Sequence, residues 1–215
     1  MTEPRLESEL KYRADDEAPL ITLGQARVLG TATLGPQRTV EELDRYLDTQ
    51  DLRLSARGWA CRLRTREGRT FVSLKGPAEH EAGAAVHQRR EIEGPATSEP
   101  QPEDWPPSEA RDHLLEMAAD EPLVERVTMA QRRTERAVLH EGSQVGLLTL
   151  DRVRVLYEGD EIGHLLVVEL EFDPAAVVHG VDPRPLAAAL SAVGLQPDPL
   201  SKLEHALRMT AGSSA

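Results

Sequence analysis

The sequence predicts an α+β domain in which a sheet closes around a charged interior and helices pack on its outside. Strand-like segments, recognised by alternation or by short apolar runs between turn residues, outnumber helical ones. Several of these strands carry like-charged residues at every second position, with apolar residues between them. Because residues two apart in a strand face the same side, each such strand has one charged and one apolar face. A lumen lined by the charged faces and helices covering the apolar faces would satisfy both patterns.

Length and composition limit the classes of protein to consider. The chain has 215 residues, which suits one domain, and 40% of them are hydrophobic and 29% charged. A formal net charge of −12 argues against a nucleic-acid-binding surface, so any basic site must be local. The single cysteine, Cys61, fits a reducing compartment. Without a signal-peptide pattern or an apolar run of roughly 18 residues, we expect a cytoplasmic monomer or homodimer that binds no nucleic acid or membrane.

Seven segments are predicted as strands. They span residues 5–13, 59–66, 69–76, 86–94, 129–140, 145–157 and 162–173. The stretches REGR (66–69) and YEGDEIG (157–163) supply the Gly and Asp residues that are typical of hairpin turns. Residues 39–49, TVEELDRYLDT, have the spacing of a short helix, and their pattern also allows a strand.

Three segments are predicted as helices. Residues 108–120 begin with a Ser cap and carry apolar residues at helical spacing. Residues 182–194 begin with Asp-Pro and end at Gly194, whereas residues 199–209 have Ser201 at their first turn. The proline-rich stretch 93–109 is expected to be a surface connection.

Charged residues recur on one face of the predicted strands. In the first strand, Glu7, Glu9 and Lys11 share a face opposite two leucines. The corresponding residues on later strands are Arg62, Arg64, Lys75, Arg133, Asp151, Glu169 and Glu171. A single strand of this kind is usually half-buried with its charges in water. The repetition across several strands favours a polar lumen, where carboxylates take Mg²⁺ or Mn²⁺ and Arg and Lys take phosphate oxygens.

The order of these motifs resembles one known family. ESELK (7–11) is similar to the E-x-E-x-K signature of the CYTH superfamily, the triphosphate tunnel metalloenzymes. The resemblance covers residues 5 to 207 and continues in order through YLDTQDLRLSARGWACRLR (46–64), SLKGP (73–77), HQRREIE (87–93), QRRTERAV (131–138), LTLDRV (148–153), VVELEF (167–172) and LSKLEHAL (200–207).

The resemblance implies a specific fold. It predicts an eight-stranded antiparallel closed β-barrel, the triphosphate tunnel, with helices packed on the outside. It also implies that residues 39–49 form a strand. The whole chain, 1–215, would be a single CYTH domain with a core at 5–207 and a short flexible tail at 210–215.

The resemblance also implies site residues. The metal ligands, for Mg²⁺ or Mn²⁺, would be Glu7, Glu9, Asp151, Glu169 and Glu171. The substrate-binding residues would be Lys11, Arg62, Arg64, Lys75, Arg133, Arg136 and Lys202, the last from the C-terminal helix. Glu9, Lys11, Arg62 and Lys75 would be catalytic. The registers of Arg89, Arg90 and Glu91 and of Arg132, Arg133 and Arg136 stay open, as does whether Trp59 lies at the tunnel mouth or packs under a helix.

The predicted function is metal-dependent hydrolysis of a small-molecule triphosphate. An Arg and Lys clamp with a metal ion would neutralise the substrate and stabilise the transferring phosphoryl group. The aromatic content of 3% favours inorganic triphosphate, since an organic group needs a recognition pocket. Alternatives are an organic triphosphatase acting on thiamine or nucleoside triphosphate, a class IV adenylyl cyclase, and a non-catalytic polyphosphate-binding module. The excess acidic residues are expected on the outer surface.

Overall fold

The structure, a computed structural model, describes residues 5–79, 87–174 and 181–213, and for residues 5–7, 78–79, 87–89 and 213 it describes the backbone alone. Eleven strands lie in this part of the chain. They are β1 (Arg5–Ala14), β2 (Val28–Leu29), β3 (Ala32–Leu34), β4 (Arg38–Thr49), β5 (Ala60–Arg66), β6 (Arg69–Glu79), β7 (His87–Ala96), β8 (Leu123–His140), β9 (Ser143–Tyr157), β10 (Asp160–Phe172) and β11 (Gln196–Pro197).

Eight of these strands form a closed ring of antiparallel pairs. The order is β8-β4-β5-β6-β7-β1-β10-β9, and β9 pairs again with β8 along residues 143–156. The predicted eight-stranded antiparallel barrel is therefore confirmed. The short strand β3 pairs with β8 beyond the end of β4, and β2 pairs with β3. β11 pairs with the end of β1.

Residues 39–49 lie in strand β4, as the family resemblance implied and against their local helical spacing. β4 pairs with β5 on one side and β8 on the other, so both of its edges are hydrogen-bonded. Val40, Glu42, Asp44 and Tyr46 are buried at alternate positions, and every residue from Tyr46 to Thr49 is buried. Pairing on both edges thus outweighs a weak local helical preference.

Three hairpins are closed by Glu-Gly pairs. Glu67-Gly68, Glu141-Gly142 and Glu158-Gly159 all have positive φ at both residues. Two consecutive residues with positive φ form the tight hairpin turn whose backbone twist matches that of the flanking strands. The turns predicted at 66–69 and 157–163 are confirmed.

Within the described residues, four helices surround or enter the barrel: α1 (Ala18–Gln25), α2 (Glu109–Ala118), α3 (Arg184–Ala192) and α4 (Lys202–Ser213). The last three lie where the sequence predicts helices. α1 was not predicted because its eight residues carry no charge and no side-chain cap, yet Leu20 and Leu23 are buried. α4 continues four residues into the segment expected to be a tail.

No helix in the described ranges is long and apolar enough to cross a membrane.

Two apolar layers cover the outside of the barrel. α1 and α3 pack on β1, β9 and β10, and α2 packs on β5 and β6. Cys61 lies in the layer under α2, as its neighbour Arg62 on the opposite face predicts, and burial raises the pKa of its thiol. Trp59 packs at the edge of the same layer with its ring 4.8 Å from that of His113 in α2.

α4 occupies a different place from the other helices. Leu203, Ala206 and Met209 of α4 pack against inward-facing residues of the barrel, among them Tyr46 and Met129. The helix therefore fills one end of the barrel interior, whereas the sequence placed every helix outside the sheet. Its first residue, Lys202, reaches the remaining cavity from this end.

Candidate active site

The barrel encloses a cavity of about 250 Å³ whose lining comes from all eight barrel strands and from α4. Its cationic lining residues are Lys11, Arg62, Arg64, Arg66, Lys75, Arg133 and Lys202. Its acidic lining residues are Glu9, Glu91, Glu93, Glu135, Glu169 and Glu171. Alternation brings these side chains together, because each strand turns every second residue inward.

All three lysines of the sequence lie in this cavity. Lys11 comes from β1, Lys75 from β6 and Lys202 from α4, and the other 22 basic residues of the chain are arginines. Three lysines that are far apart in the sequence thus place their ammonium groups in one cavity. Such convergence is typical of an anion-binding site.

The acidic side of the cavity is built by β1 and β10. Glu9 lies directly opposite Glu171 in the pairing of these strands, and Lys11 lies opposite Glu169. Lys11 Nζ contacts Glu9 Oε1 at 2.9 Å. Directly opposed like charges destabilise a strand pair, so the Glu9–Glu171 pair favours a cation beside it.

The donor set fits a divalent cation. Glu9, Glu169 and Glu171 all line the cavity, and carboxylate oxygens are the ligands that Mg²⁺ and Mn²⁺ prefer. Within the described residues, no three acidic, His or Cys side chains converge closely enough to form a preassembled metal site. Glu7 continues the same face of β1, but its side chain lies outside the described residues.

Arg62 and Arg64 contact one buried carboxylate on the inward face of β4. Asp44 accepts two hydrogen bonds from Arg64, at 2.7 and 2.6 Å, and one from Gln131 at 2.6 Å. Arg62 lies 3.6 Å from the same carboxylate. Burial alone would raise the pKa of the Asp44 carboxyl, but the charges of Arg62 and Arg64 hold that pKa far below its usual range.

Arg66 is a third arginine of the same strand, outside the predicted substrate-binding set. The exposed fraction of the side chains rises from 11% at Arg62 to 15% at Arg64 and 23% at Arg66, so this row leads from the interior towards one mouth. Arg66 contacts Glu42 at 3.1 Å and Glu135 at 2.7 Å. Its spacing of two from Arg64 was the only sequence feature that indicated this position.

Arg133 and Lys202 share one buried carboxylate. Asp151 accepts two hydrogen bonds from Arg133, at 2.8 and 2.7 Å, and one from Lys202 at 2.6 Å. Lys202 also donates to Glu169 at 2.7 Å. Burial would raise the pKa of the Glu169 carboxyl, but the charges of Lys202, Lys11 and Arg133 lower it well below its usual range. Asp151 thus contacts cations through both of its oxygens.

The remaining predicted cation, Lys75, faces Glu91. Lys75 Nζ lies 3.3 Å from Glu91 Oε1, the same oxygen that accepts from Ser73 at 2.5 Å and lies 3.7 Å from Arg62. The sequence left the register of this strand open. In the structure, Glu91 faces the barrel interior and Arg90 is exposed on the outside. The side chain of Arg89 lies outside the described residues.

The structure does not bring Arg136 to the cavity. Along β8, Arg133 points inward, whereas Arg136 has the opposite parity and lies on the outer side. Its guanidinium donates to five backbone carbonyls around the end of α1 and β3, those of Leu23, Gly24, Ala26, Leu34 and Gly35. Spacing alone could not choose between the two parities.

The interior carries more acid than the sequence predicted. Behind the lining residues lie three further buried carboxylates, Glu42, Asp44 and Asp151. Counted over the described side chains, seven cations then face nine carboxylates, a formal charge of −2. Additional positive charge in the cavity would therefore favour the binding of an anionic ligand.

This barrel with its charged interior matches a known protein family. A family model described as the CYTH domain matches residues 5–177. The chain belongs to the CYTH family. None of the curated proteins compared with it matches.

Solved structures share the fold of this CYTH protein. HpAC1 from Hippeastrum, described as an adenylyl cyclase candidate with a dominant triphosphatase activity, is 19% identical with a TM-score of 0.67, covering 95% of this chain and 96% of its own. A candidate adenylate cyclase from Bacillus halodurans is 20% identical with a TM-score of 0.59, covering 92% and 95%. A protein from Pyrococcus horikoshii is 21% identical with a TM-score of 0.56, covering 94% and 98%.

Proposed function

We propose that this CYTH protein is a metal-dependent triphosphatase that hydrolyses inorganic triphosphate to phosphate and pyrophosphate. The observation that carries the proposal is the convergence of all three lysines and of four arginines in one cavity that also holds the Glu9–Glu171 pair. Cations of this number bind an extended phosphate chain, and paired carboxylates bind the metal that accompanies it.

The metal would be held by Glu9 and Glu171, with Glu7 and Glu169 beside them. When bound, the divalent cation neutralises phosphate oxygens and lowers the pKa of a bound water. Asp151 is proposed to hold Arg133 and Lys202 in place, because both of its oxygens contact these cations. In this proposal Asp151 acts as a counter-ion for the two cations, whereas the family resemblance implied a metal ligand.

The remaining residues act on the substrate. Lys11, Arg62, Arg64, Lys75, Arg133 and Lys202 bind the phosphate oxygens and stabilise charge on the transferring phosphoryl group. Glu9 orients the attacking water, whose oxygen forms a bond to the terminal phosphorus while the bond to the bridging oxygen breaks. The bridging oxygen leaves with pyrophosphate, one proton of the water stays on the new phosphate, and the other passes to solvent.

The lining supports a preference for a substrate without an organic group. Among the described lining residues the aromatic one is Tyr46, whose ring belongs to the apolar cluster under α4 at the filled end. Stacking on a base or a thiamine ring needs an aromatic group near the mouth. The description of HpAC1 as having dominant triphosphatase activity agrees with hydrolysis rather than cyclisation in a protein of the same fold.

The test compares inorganic triphosphate, thiamine triphosphate and ATP, each with Mg²⁺ or Mn²⁺ or with a chelator, and resolves the products by ion-exchange chromatography. We expect phosphate and pyrophosphate from inorganic triphosphate, no turnover with chelator, and a loss of about 10²-fold or more in Arg62→Gln. Arg132→Gln, at an exposed position of β8, is the matched control. Cyclic AMP from ATP, faster turnover of an organic triphosphate, or binding without turnover would each contradict the proposal.

A further inference from the structure

The segment that leads into α4 is tied to the strand that carries Lys11. β11 pairs with Tyr12 and Arg13 of β1. The next residue, Asp198, donates its backbone N–H to the carbonyl oxygen of Lys11 at 3.0 Å. The approach to the helix is therefore fixed to the same strand that forms the acidic side of the cavity.

Asp198 then links this segment to the helix itself. Its Oδ1 accepts from the backbone N–H of Leu200 at 3.0 Å, and its Oδ2 lies 2.7 Å from Nε2 of His205 in α4. The side chain of Asp198 is 4% exposed and that of His205 is 20% exposed, so this hydrogen bond is partly shielded from bulk water. We refer to these two side chains as the Asp198–His205 clasp.

The clasp lies one helical turn from Lys202. Residues three apart on a helix are neighbours on its surface, so a movement of His205 also moves Lys202. A reciprocal cap fixes the first turn, since Ser201 and Glu204 each donate a backbone N–H to the side chain of the other, at 2.7 and 3.1 Å. With α4 in this position, Lys202 Nζ donates to Asp151 at 2.6 Å.

Apolar packing alone does not determine the depth of the helix. Leu203, Ala206 and Met209 bury their side chains against the barrel interior, but the hydrophobic effect is non-directional and tolerates sliding along an apolar surface. A hydrogen bond has strict distance and angle requirements and therefore selects one position.

We infer that Asp198 and His205 are positioning residues that hold α4 at the depth from which Lys202 enters the substrate cavity. The kinetic consequence rests on the proposed triphosphatase function, whereas the placement of Lys202 does not.

The choice of variants follows from the atom that His205 uses. Because the contact to Asp198 is made by Nε2, Gln keeps a donor near that position, whereas Asn carries its donor near Nδ1 and Ala has none. His164 lines the cavity of about 310 Å³ beside His205 and is exposed, so His164→Ala is the matched control. Arg13 and Asp15 line the same cavity, and because no variant changes them, these two charges are the same in every protein compared.

The first readout is turnover of inorganic triphosphate. We expect kcat/KM to fall by about 10-fold to 100-fold in His205→Ala and His205→Asn and to return to within about threefold in His205→Gln, since small displacements of a binding group have effects of this size. His164→Ala should match the original protein. Equal activity in all four variants, or an equal loss in His205→Gln and His205→Asn, would overturn the inference.

The second readout reports the position of Lys202 without any turnover. Acetylation by an amine-reactive reagent, measured by mass spectrometry after digestion, compares Lys202 with Lys11 and Lys75 in the same sample. We expect Lys202 to react faster in His205→Asn than in His205→Gln, with the other two lysines unchanged. Unchanged Lys202 reactivity overturns the inference, and a uniform rise at all three lysines shows general loosening and overturns it as well. If no triphosphate is turned over, the proposed function fails while this readout still decides the role of the clasp.

Discussion

Glu9 and Glu171 are directly opposed residues of two hydrogen-bonded strands, and both carboxylates enter the cavity. A strand pair that places like charges opposite each other loses stability unless a cation lies between or beside them. Lys11 supplies one such charge at 2.9 Å from Glu9. The arrangement is understandable if a divalent cation completes the neutralisation during function.

Glu171→Gln is expected to abolish metal-dependent turnover of triphosphate and to leave the metal-free protein as stable as before or more stable. The amide removes a charged ligand and also relieves the repulsion from Glu9. Phosphate release against Mg²⁺ or Mn²⁺ concentration and thermal unfolding in chelator would measure the two effects. Glu161→Gln, at the exposed start of the same strand, is the control. Full activity of Glu171→Gln at low Mg²⁺ would exclude the proposed metal site.

Asp151→Asn is expected to raise the KM for triphosphate and to destabilise the protein by about 3–5 kcal/mol, because it leaves Arg133 and Lys202 without their shared buried counter-ion. The Mg²⁺ concentration for half-maximal activity should stay where it is. Urea unfolding and a metal titration of activity separate the two effects. A shifted metal midpoint with unchanged stability would instead make Asp151 a metal ligand.

Arg136→Lys is expected to lower the free energy of unfolding by about 2–4 kcal/mol, because a lysine cannot satisfy the five buried or partly buried carbonyls that Arg136 contacts. The KM for triphosphate should not change, since the side chain lies outside the barrel interior. Chemical denaturation and steady-state kinetics measure both quantities, with Arg132→Lys as the exposed control. A raised KM at unchanged stability would return Arg136 to the substrate-binding set.

Acid should unfold the protein partly through Asp44. The pKa of its carboxyl is lower in the folded protein than in the unfolded chain, so its contribution to stability is complete above about pH 4 and is lost as the pH falls towards the folded value. In Asp44→Asn the free energy of unfolding should therefore depend less steeply on pH below about 4. Denaturation curves in chelator between acid and neutral pH would measure the slope, with the exposed Asp160→Asn as control. An unchanged slope would contradict the buried ion pair with Arg64.

Amine acetylation is expected to inactivate the protein, and triphosphate with metal is expected to protect it. All three lysines of the chain lie in the cavity, so side-chain acetylation reports on this site alone. Peptide mass spectrometry after timed exposure would give the rate at each lysine, with the N-terminal amine as an internal control. Retained activity after acetylation of Lys11, Lys75 and Lys202 would argue against their role in binding phosphate.

Much of the fold was predictable because the strands have a clear period of two. The segment with Glu169 and Glu171 showed which side faces inward, and β10 has that orientation in the structure. Arg136 shows the limit of this reasoning, because QRRTER offers charged residues of both parities and only pairing with β4 and β9 selects Arg133. α1 was missed since its burial arises from contacts with β9 and β10, distant in sequence, and not from its own pattern.

The sequence by itself indicated the barrel and the family through the resemblance of its ordered motifs. It also indicated most of the inward cations, because alternation along a strand is a local property that each segment carries, but it wrongly added Arg136 and left out Glu42 and Asp44. Only the tertiary structure decided which charges contact one another. Asp151 lies between Arg133 and Lys202, and Asp44 beside Arg62 and Arg64, through pairs separated by up to 51 positions in the chain. The depth at which α4 enters the barrel was likewise decided by tertiary contacts, since Asp198 and His205 act only when β1, β11 and the helix meet. Charge–charge distances depend on closure of the ring, and no single segment contains that information.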